Sequence, residues 1–179
     1  MNATRFATRF ACRSHMLSTC PSMDVSPFIA LPKMFVDLYN YVNSLDHVIE
    51  LGGEGSNGEW AVDLLTGAVV KAGRTESGRS SSPGACTALA RSYGSGIGVF
   101  FLISKAMILL ISDDKSAYWK SIYLDAHGEE DPGLRRGRPL FLNQPRLTEL
   151  TGLYLKGDIV KEVASIRGSS DRVIRGNWF

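Results

Sequence analysis

The chain has 179 residues, 44% of them hydrophobic, which is enough for one domain with one sizeable core. Its 20 basic and 18 acidic side chains leave a formal net charge of +2, so charge implies neither nucleic acid nor an anionic membrane as a partner. Three cysteines (Cys12, Cys20, Cys86), an odd and sparse set, argue against a disulfide-stapled secreted scaffold and fit an intracellular, reducing compartment.

Residues 1–24 carry Arg5, Arg9 and Arg13 with no acid before Asp24, the composition of either a disordered tail or a mitochondrial presequence. We therefore expect residues 1–26 to be a disordered or targeting-like tail and residues 27–179 to form the domain. The set Cys12, His15 and Cys20 lacks a fourth ligand and is not read as a zinc site. Phe35, Leu38, Tyr39, Val42 and Leu45 step by three and four, which predicts an amphipathic helix over residues 32–44 with Pro32 in its first turn and its aromatics in the core. After the glycine-rich stretch at 52–58, residues 60–65 and 68–71 read as a hairpin about Thr66-Gly67. The Gly, Ser and Arg content of residues 73–84 predicts a mobile loop.

Gly94, Gly96 and Gly98 precede a strand, whereas the glycines of a dinucleotide fold follow one and open a helix. They are read as a bend and a close backbone approach. Residues 99–103 and 107–111 are apolar throughout and predict a hairpin buried on both faces, the centre of the core. The apolar run 97–111 is too short to span a bilayer, which takes about 20 residues. A turn at 113–116 and a third strand at 117–122 follow. Beyond residue 142, Leu147, Leu150, Leu153 and Tyr154 predict a helix over 146–156, capped by Asn143 and stopped by Gly157. Asp158 is expected to cap a further helix through Ile159, Val160, Val163 and Ile166 that Gly168 ends, and Trp178-Phe179 suggest a docked terminus.

The fold class is thus α+β: a small apolar sheet, with hairpins near 60–71 and 99–111, packed with an N-terminal helix and one or two C-terminal helices.

Residues 123–142 hold the densest chemistry: Asp125, Glu129, Glu130 and Asp131, His127, and Arg135, Arg136 and Arg138, bent by Gly128, Pro132, Gly133, Gly137 and Pro139. No nucleophile elbow and no triad can be assembled, and the acids lack the alternating spacing of a calcium loop. Acids pairing with arginines could merely fix the loop's shape, or the arginine forks could meet carboxylates on a partner. A small acid/base enzyme using His127 with Glu129 or Asp131 is a third reading.

The segment from Gly94 through the second apolar strand, with Tyr123, Asp125, His127, Glu129, Asp131, Arg135 and Arg136, resembles the C-terminal end of the UBR-box E3 ubiquitin ligases, the N-recognins. The resemblance covers about residues 27–179, including Leu31-Pro32 and Asn177-Trp178. It implies a regulatory or structural domain in the N-degron branch of ubiquitin-dependent degradation, acting through contact with other domains of the same ligase or a separately encoded subunit. The family's RING, through which a conjugating enzyme is recruited, and its UBR box are not found in the sequence. The resemblance thus implies a fragment that is not catalytic alone, cytoplasmic and possibly also nuclear; a mitochondrial matrix protein is the alternative. The family binds zinc before the glycine-rich strand. Here Asp63 and Thr66 stand where its first cysteine pair would fall, and Cys86 alone is kept of the second group, with Leu89, Ser92 and Tyr93 beside it. No cofactor is therefore expected.

Overall fold

The computed structural model describes residues 26–44, 59–72 and 83–169. The tail at 1–25, Leu45, the glycine-rich stretch at 52–58, most of the loop at 73–84 and Trp178-Phe179 lie outside the described residues.

Five antiparallel strands form the main sheet in the order β2-β1-β3-β4-β5. They are β1 (Glu59–Asp63), β2 (Val69–Ala72), β3 (Ile97–Leu102), β4 (Met107–Ser112) and β5 (Lys115–Tyr118). The β3–β4 hairpin pairs Ile97 with Ser112 and Leu102 with Met107. Because strand side chains alternate, Val99, Phe101, Ile108 and Leu110 enter one core layer while Phe100, Leu102, Leu109 and Ile111 enter the other. The continuous apolar run is thus explained by burial on both faces.

Helices cover the two faces unequally. On one side lie α1 (Phe35–Ser44), α3 (Gln144–Leu155) and α4 (Ile159–Gly168), which contribute Phe35, Leu38, Val42, Leu150, Ile159 and Val163 to the larger layer. On the other lies α2 (Ala85–Ser92), supplying Cys86 and Ala90. Expectation and structure differ most at the start of the first helix, around β5 and at the last helix's cap. The first helix starts at Phe35 and not at Pro32, because residues 32–34 are held extended: Leu142 N–H donates to the Lys33 carbonyl at 2.9 Å and Met34 bridges Phe141. The turn before β5 is only Asp113-Asp114, since Ser112 pairs with Lys115; β5 therefore starts two residues before the expected strand at 117–122, and the chain leaves the sheet after Tyr118. Asn143 caps α3 as expected, its Oδ1 accepting from Arg146 N–H at 3.0 Å. Asp158, by contrast, makes no side-chain cap; its carboxylate holds Lys161 Nζ at 2.7 Å.

Three rings close the larger layer. Phe35 of α1, Phe101 of β3 and Tyr123 pack edge to face with centroids 5.4–5.9 Å apart. Tyr123 opens a two-stranded sheet of β6 (Tyr123–Leu124) and β7 (Phe141–Leu142), whose pairing of Leu124 with Phe141 draws together the two ends of the loop at 125–140.

The glycines before and within β3 act as bends and a close approach: Gly94 and Gly96 have φ of +79° and +63°, and a methyl on Gly98 would lie 2.5 Å from the Phe100 ring and 3.0 Å from Ala90. Both neighbours are fully buried and have no room to yield. Gly98→Ala should therefore destabilise the chain by about 1–3 kcal/mol, the usual range for overpacking, as measured by urea unfolding. An unchanged midpoint would contradict this close fit of α2 on β3.

Candidate functional site

The loop at 125–140 is shaped by two buried carboxylates. Asp125 follows β6, and its Oδ1 accepts from the backbone N–H groups of His127 and Glu129, both at 2.9 Å. Its Oδ2 accepts from Arg138 Nη1 at 3.0 Å. The Asp125 carbonyl takes Gly128 N–H at 3.0 Å, and Gly128 supplies the positive φ of +80° that this tight return needs. Asp131 does the same one turn later: both its oxygens accept from Arg136 N–H, at 3.1 and 3.0 Å. Its carbonyl takes Leu134 N–H at 3.0 Å, and Gly133 N–H donates to the Lys105 carbonyl, docking the loop on the β3–β4 turn. Leu134 tucks against the larger core layer with φ at +53°, a conformation costly for a leucine and held by these bonds.

The arginines lie on the outside of this frame. Arg138 is 50% exposed while the Asp125 side chain it pairs with is 2% exposed. Arg136 pairs with Glu129, and Arg146 of α3 pairs with Glu130 and also donates to the Ser121 carbonyl at 2.9 Å. Arg135 is exposed and has no ion pair among the described residues. The loop is charge-balanced in sequence but not in space, because Asp125 and Asp131 are spent inside it while three guanidinium groups face outward.

Tyr123 is fully buried and donates from its hydroxyl to the Pro32 carbonyl at 2.8 Å, tying the loop's base to the segment before α1. Burial pushes its phenol well above the ordinary tyrosine range. Tyr123 is therefore a structural anchor. The His127 ring is exposed, and among the described residues it has no hydrogen-bonded carboxylate; Glu129 is committed to Arg136 and Asp131 to the backbone. That arrangement offers no base oriented by an acid, as acid/base catalysis would need.

Two features had little signal in the sequence. Helix α2 is only eight residues, shorter than the window over which periodicity reports, although its alanines favour a helix. The backbone partners of Asp125 and Asp131 were masked by the arginines nearby. Gly128 and Gly133, placed two or three residues after each acid, were the available hint of such turns.

The Glu129 N–H bond, followed by Arg138 and His127 N–H, holds the Asp125 carboxyl down to about 2. Its unfolded value is about 3.9. A depressed folded value stabilises the chain above the unfolded pKa and is lost as pH falls toward the folded one. Asp125→Asn should be less stable than the parent at pH 7, and the gap should narrow between about pH 4 and about pH 2. A gap constant with pH, measured by urea unfolding, would contradict the Asp125 geometry.

Comparison with known proteins places this loop in a family. The model of the Proteolysis_6 C-terminal family matches residues 9–156. Among curated proteins, the mouse E3 ubiquitin-protein ligase UBR2 is 34% identical over 96 residues, 53% of this chain and 6% of that protein. Mouse E3 ubiquitin-protein ligase UBR3 is 44% identical over 61 residues, 34% of this chain and 3% of that protein. Human E3 ubiquitin-protein ligase UBR1 is 31% identical over 96 residues, again 53% and 6%. The chain therefore spans only a small share of the length of these relatives, and the mitochondrial alternative gains no support from them. With most of its length matched and an α+β fold of the expected kind, the chain belongs to the Proteolysis_6 C-terminal family, the C-terminal domain type of the UBR E3 ubiquitin ligases.

Proposed function

We propose that this chain is a non-catalytic contact domain that docks onto other parts of a UBR-type ligase in the N-degron pathway, in the cytoplasm. The observation that carries this reading is the outward face of Arg135, Arg136 and Arg138 over a frame of buried acids. A rigid frame places the guanidinium groups before binding, and a guanidinium fork suits a carboxylate on a partner. Arg135 is the contact residue to test first, because it carries no internal ion pair among the described residues. Arg136 and Arg138 support it with their remaining N–H groups. Tyr123, Asp125 and Asp131 hold the frame, and His127 and Glu129 lie on its rim. The partner is acidic protein surface, either another domain of the same ligase or a separately encoded subunit. Neither nucleic acid nor membrane belongs to this reading, and a conjugating enzyme enters only through a RING elsewhere in the assembly. No cofactor takes part.

The experiment uses immobilised chain and mouse UBR2 deleted of the 96-residue stretch that the chain matches. Wild-type chain should retain the ligase, and Arg135→Glu should weaken retention about tenfold, the loss of one charge-assisted contact. Raising salt should weaken the wild type more than the variant. Absence of retention, or retention indifferent to the charge reversal, would contradict the proposal. The isolated chain should also give no ubiquitin conjugates with activating and conjugating enzymes supplied; robust self-modification would contradict it equally.

A further inference from the structure

The corner where β1 ends joins the β1–β2 turn to the end of α2, beside the smaller core layer that β1 and α2 both line. Asp63 closes β1, and the turn after it returns through Gly67, whose N–H donates to the Asp63 carbonyl at 2.8 Å. The Asp63 side chain is fully buried and has no cation beside it among the described residues. Four donors surround it instead. Leu65 N–H reaches Oδ1 at 3.3 Å, while Oδ2 takes Thr66 N–H at 3.2 Å, the Thr66 hydroxyl at 2.6 Å and the Tyr93 hydroxyl at 3.1 Å. Thr66 Oγ1 also lies 3.1 Å from the Tyr93 oxygen and accepts from Ala68 N–H at 3.3 Å. Tyr93 caps the end of α2, so these bonds reach from the β1–β2 turn to the C-terminal end of that helix.

These are the positions at which the family resemblance implies zinc, and their side chains do not fit it. Zinc takes about four thiolate, imidazole or carboxylate ligands. Thr66 and Tyr93 offer hydroxyls, Asp63 has its lone pairs occupied by neutral donors, and Leu89 packs in the smaller core layer. Ser92 bonds back to the Leu89 carbonyl at 2.7 Å. Cys86 is a buried free thiol, and burial followed by the Asp63 charge pushes it up to about 12, opposing the thiolate a metal requires. Among the described residues no group of three His, Cys, Asp or Glu side chains is arranged to hold a metal ion.

We propose that a hydrogen-bonded knot of Asp63, Thr66 and Tyr93 tethers α2 to the end of β1 in place of a metal, so that this domain folds and holds its shape independently of zinc. A buried carboxylate saturated by donors is a directional cross-link, and each partner removed leaves the charge less satisfied. The knot therefore acts as a unit. It is independent of the docking role of the arginine loop, which lies on a different part of the fold.

Two measurements on the 179-residue chain test it. Zinc content by atomic emission should fall far below one metal per chain, and a strong chelator should leave the thermal midpoint unchanged. Stoichiometric zinc with a chelator-induced fall would overturn the proposal. Tyr93→Phe should lower the midpoint by about 2–4 °C, the shift that loss of one net hydrogen bond gives in a chain of this size. In an Asp63→Asn background the same change should cost clearly less, because the charge that it serves is gone. Where Asp63→Asn does not fold, Thr66→Val supplies the second arm of the cycle. An unchanged midpoint for Tyr93→Phe, or losses that simply add, would overturn the knot.

Discussion

A carboxylate taken out of water must be surrounded by donors, and this chain meets that demand three times with the polypeptide itself. Asp63, Asp125 and Asp131 are all nearly inaccessible, and each accepts from backbone N–H groups a few residues further on. Leaving such a group unsatisfied costs about 1–3 kcal/mol or more, so the turn that supplies the donors is fixed by the burial of the acid. Surface ion pairs in the same loop contribute far less, about 0–1 kcal/mol each. The loop therefore keeps its shape chiefly through the acids, and the arginines lie on its outer face.

That division of labour connects the fold to its proposed role. The edge-to-face trio of Phe35, Phe101 and Tyr123 sets the base of the loop on the rigid sheet, and the β6–β7 pair closes it. On such a base Arg136 and Arg138 are held by Glu129 and Asp125 before any partner arrives. Nothing in the loop brings an imidazole, a carboxylate and a water-excluding cleft together. On the proposed reading a domain of this kind contributes to ubiquitin-dependent degradation by positioning, a reading supported by the chain's similarity to part of the ligases UBR1, UBR2 and UBR3.

The strands were legible because burial on both faces leaves an unmistakable apolar run, as in Val99–Ile103 and Met107–Ile111, and a hairpin turn between two such runs has few alternatives. The start of α1 was misplaced by three residues, since Pro32 suits a helical first turn but its neighbours are claimed by β7 from more than a hundred residues away. Non-local pairing of that kind leaves no local trace. In the loop, residue types were legible and partners were not: acids and arginines suggested mutual pairing, whereas the backbone took the larger share of both buried acids. Asp63 and Tyr93 stood out only as departures from a metal-binding pattern, and their connection to each other needed the fold.

The central claim is that the loop at 125–140 is a rigid frame built on buried carboxylates, and amide hydrogen exchange read by NMR tests it most directly. The amides of His127, Glu129 and Arg136 should exchange far more slowly than an exposed loop, and the protection at His127 and Glu129 should vanish in Asp125→Ala, which removes the accepting oxygen, while that at Arg136 persists. Exchange of all three at unstructured rates in the wild-type chain would contradict the account.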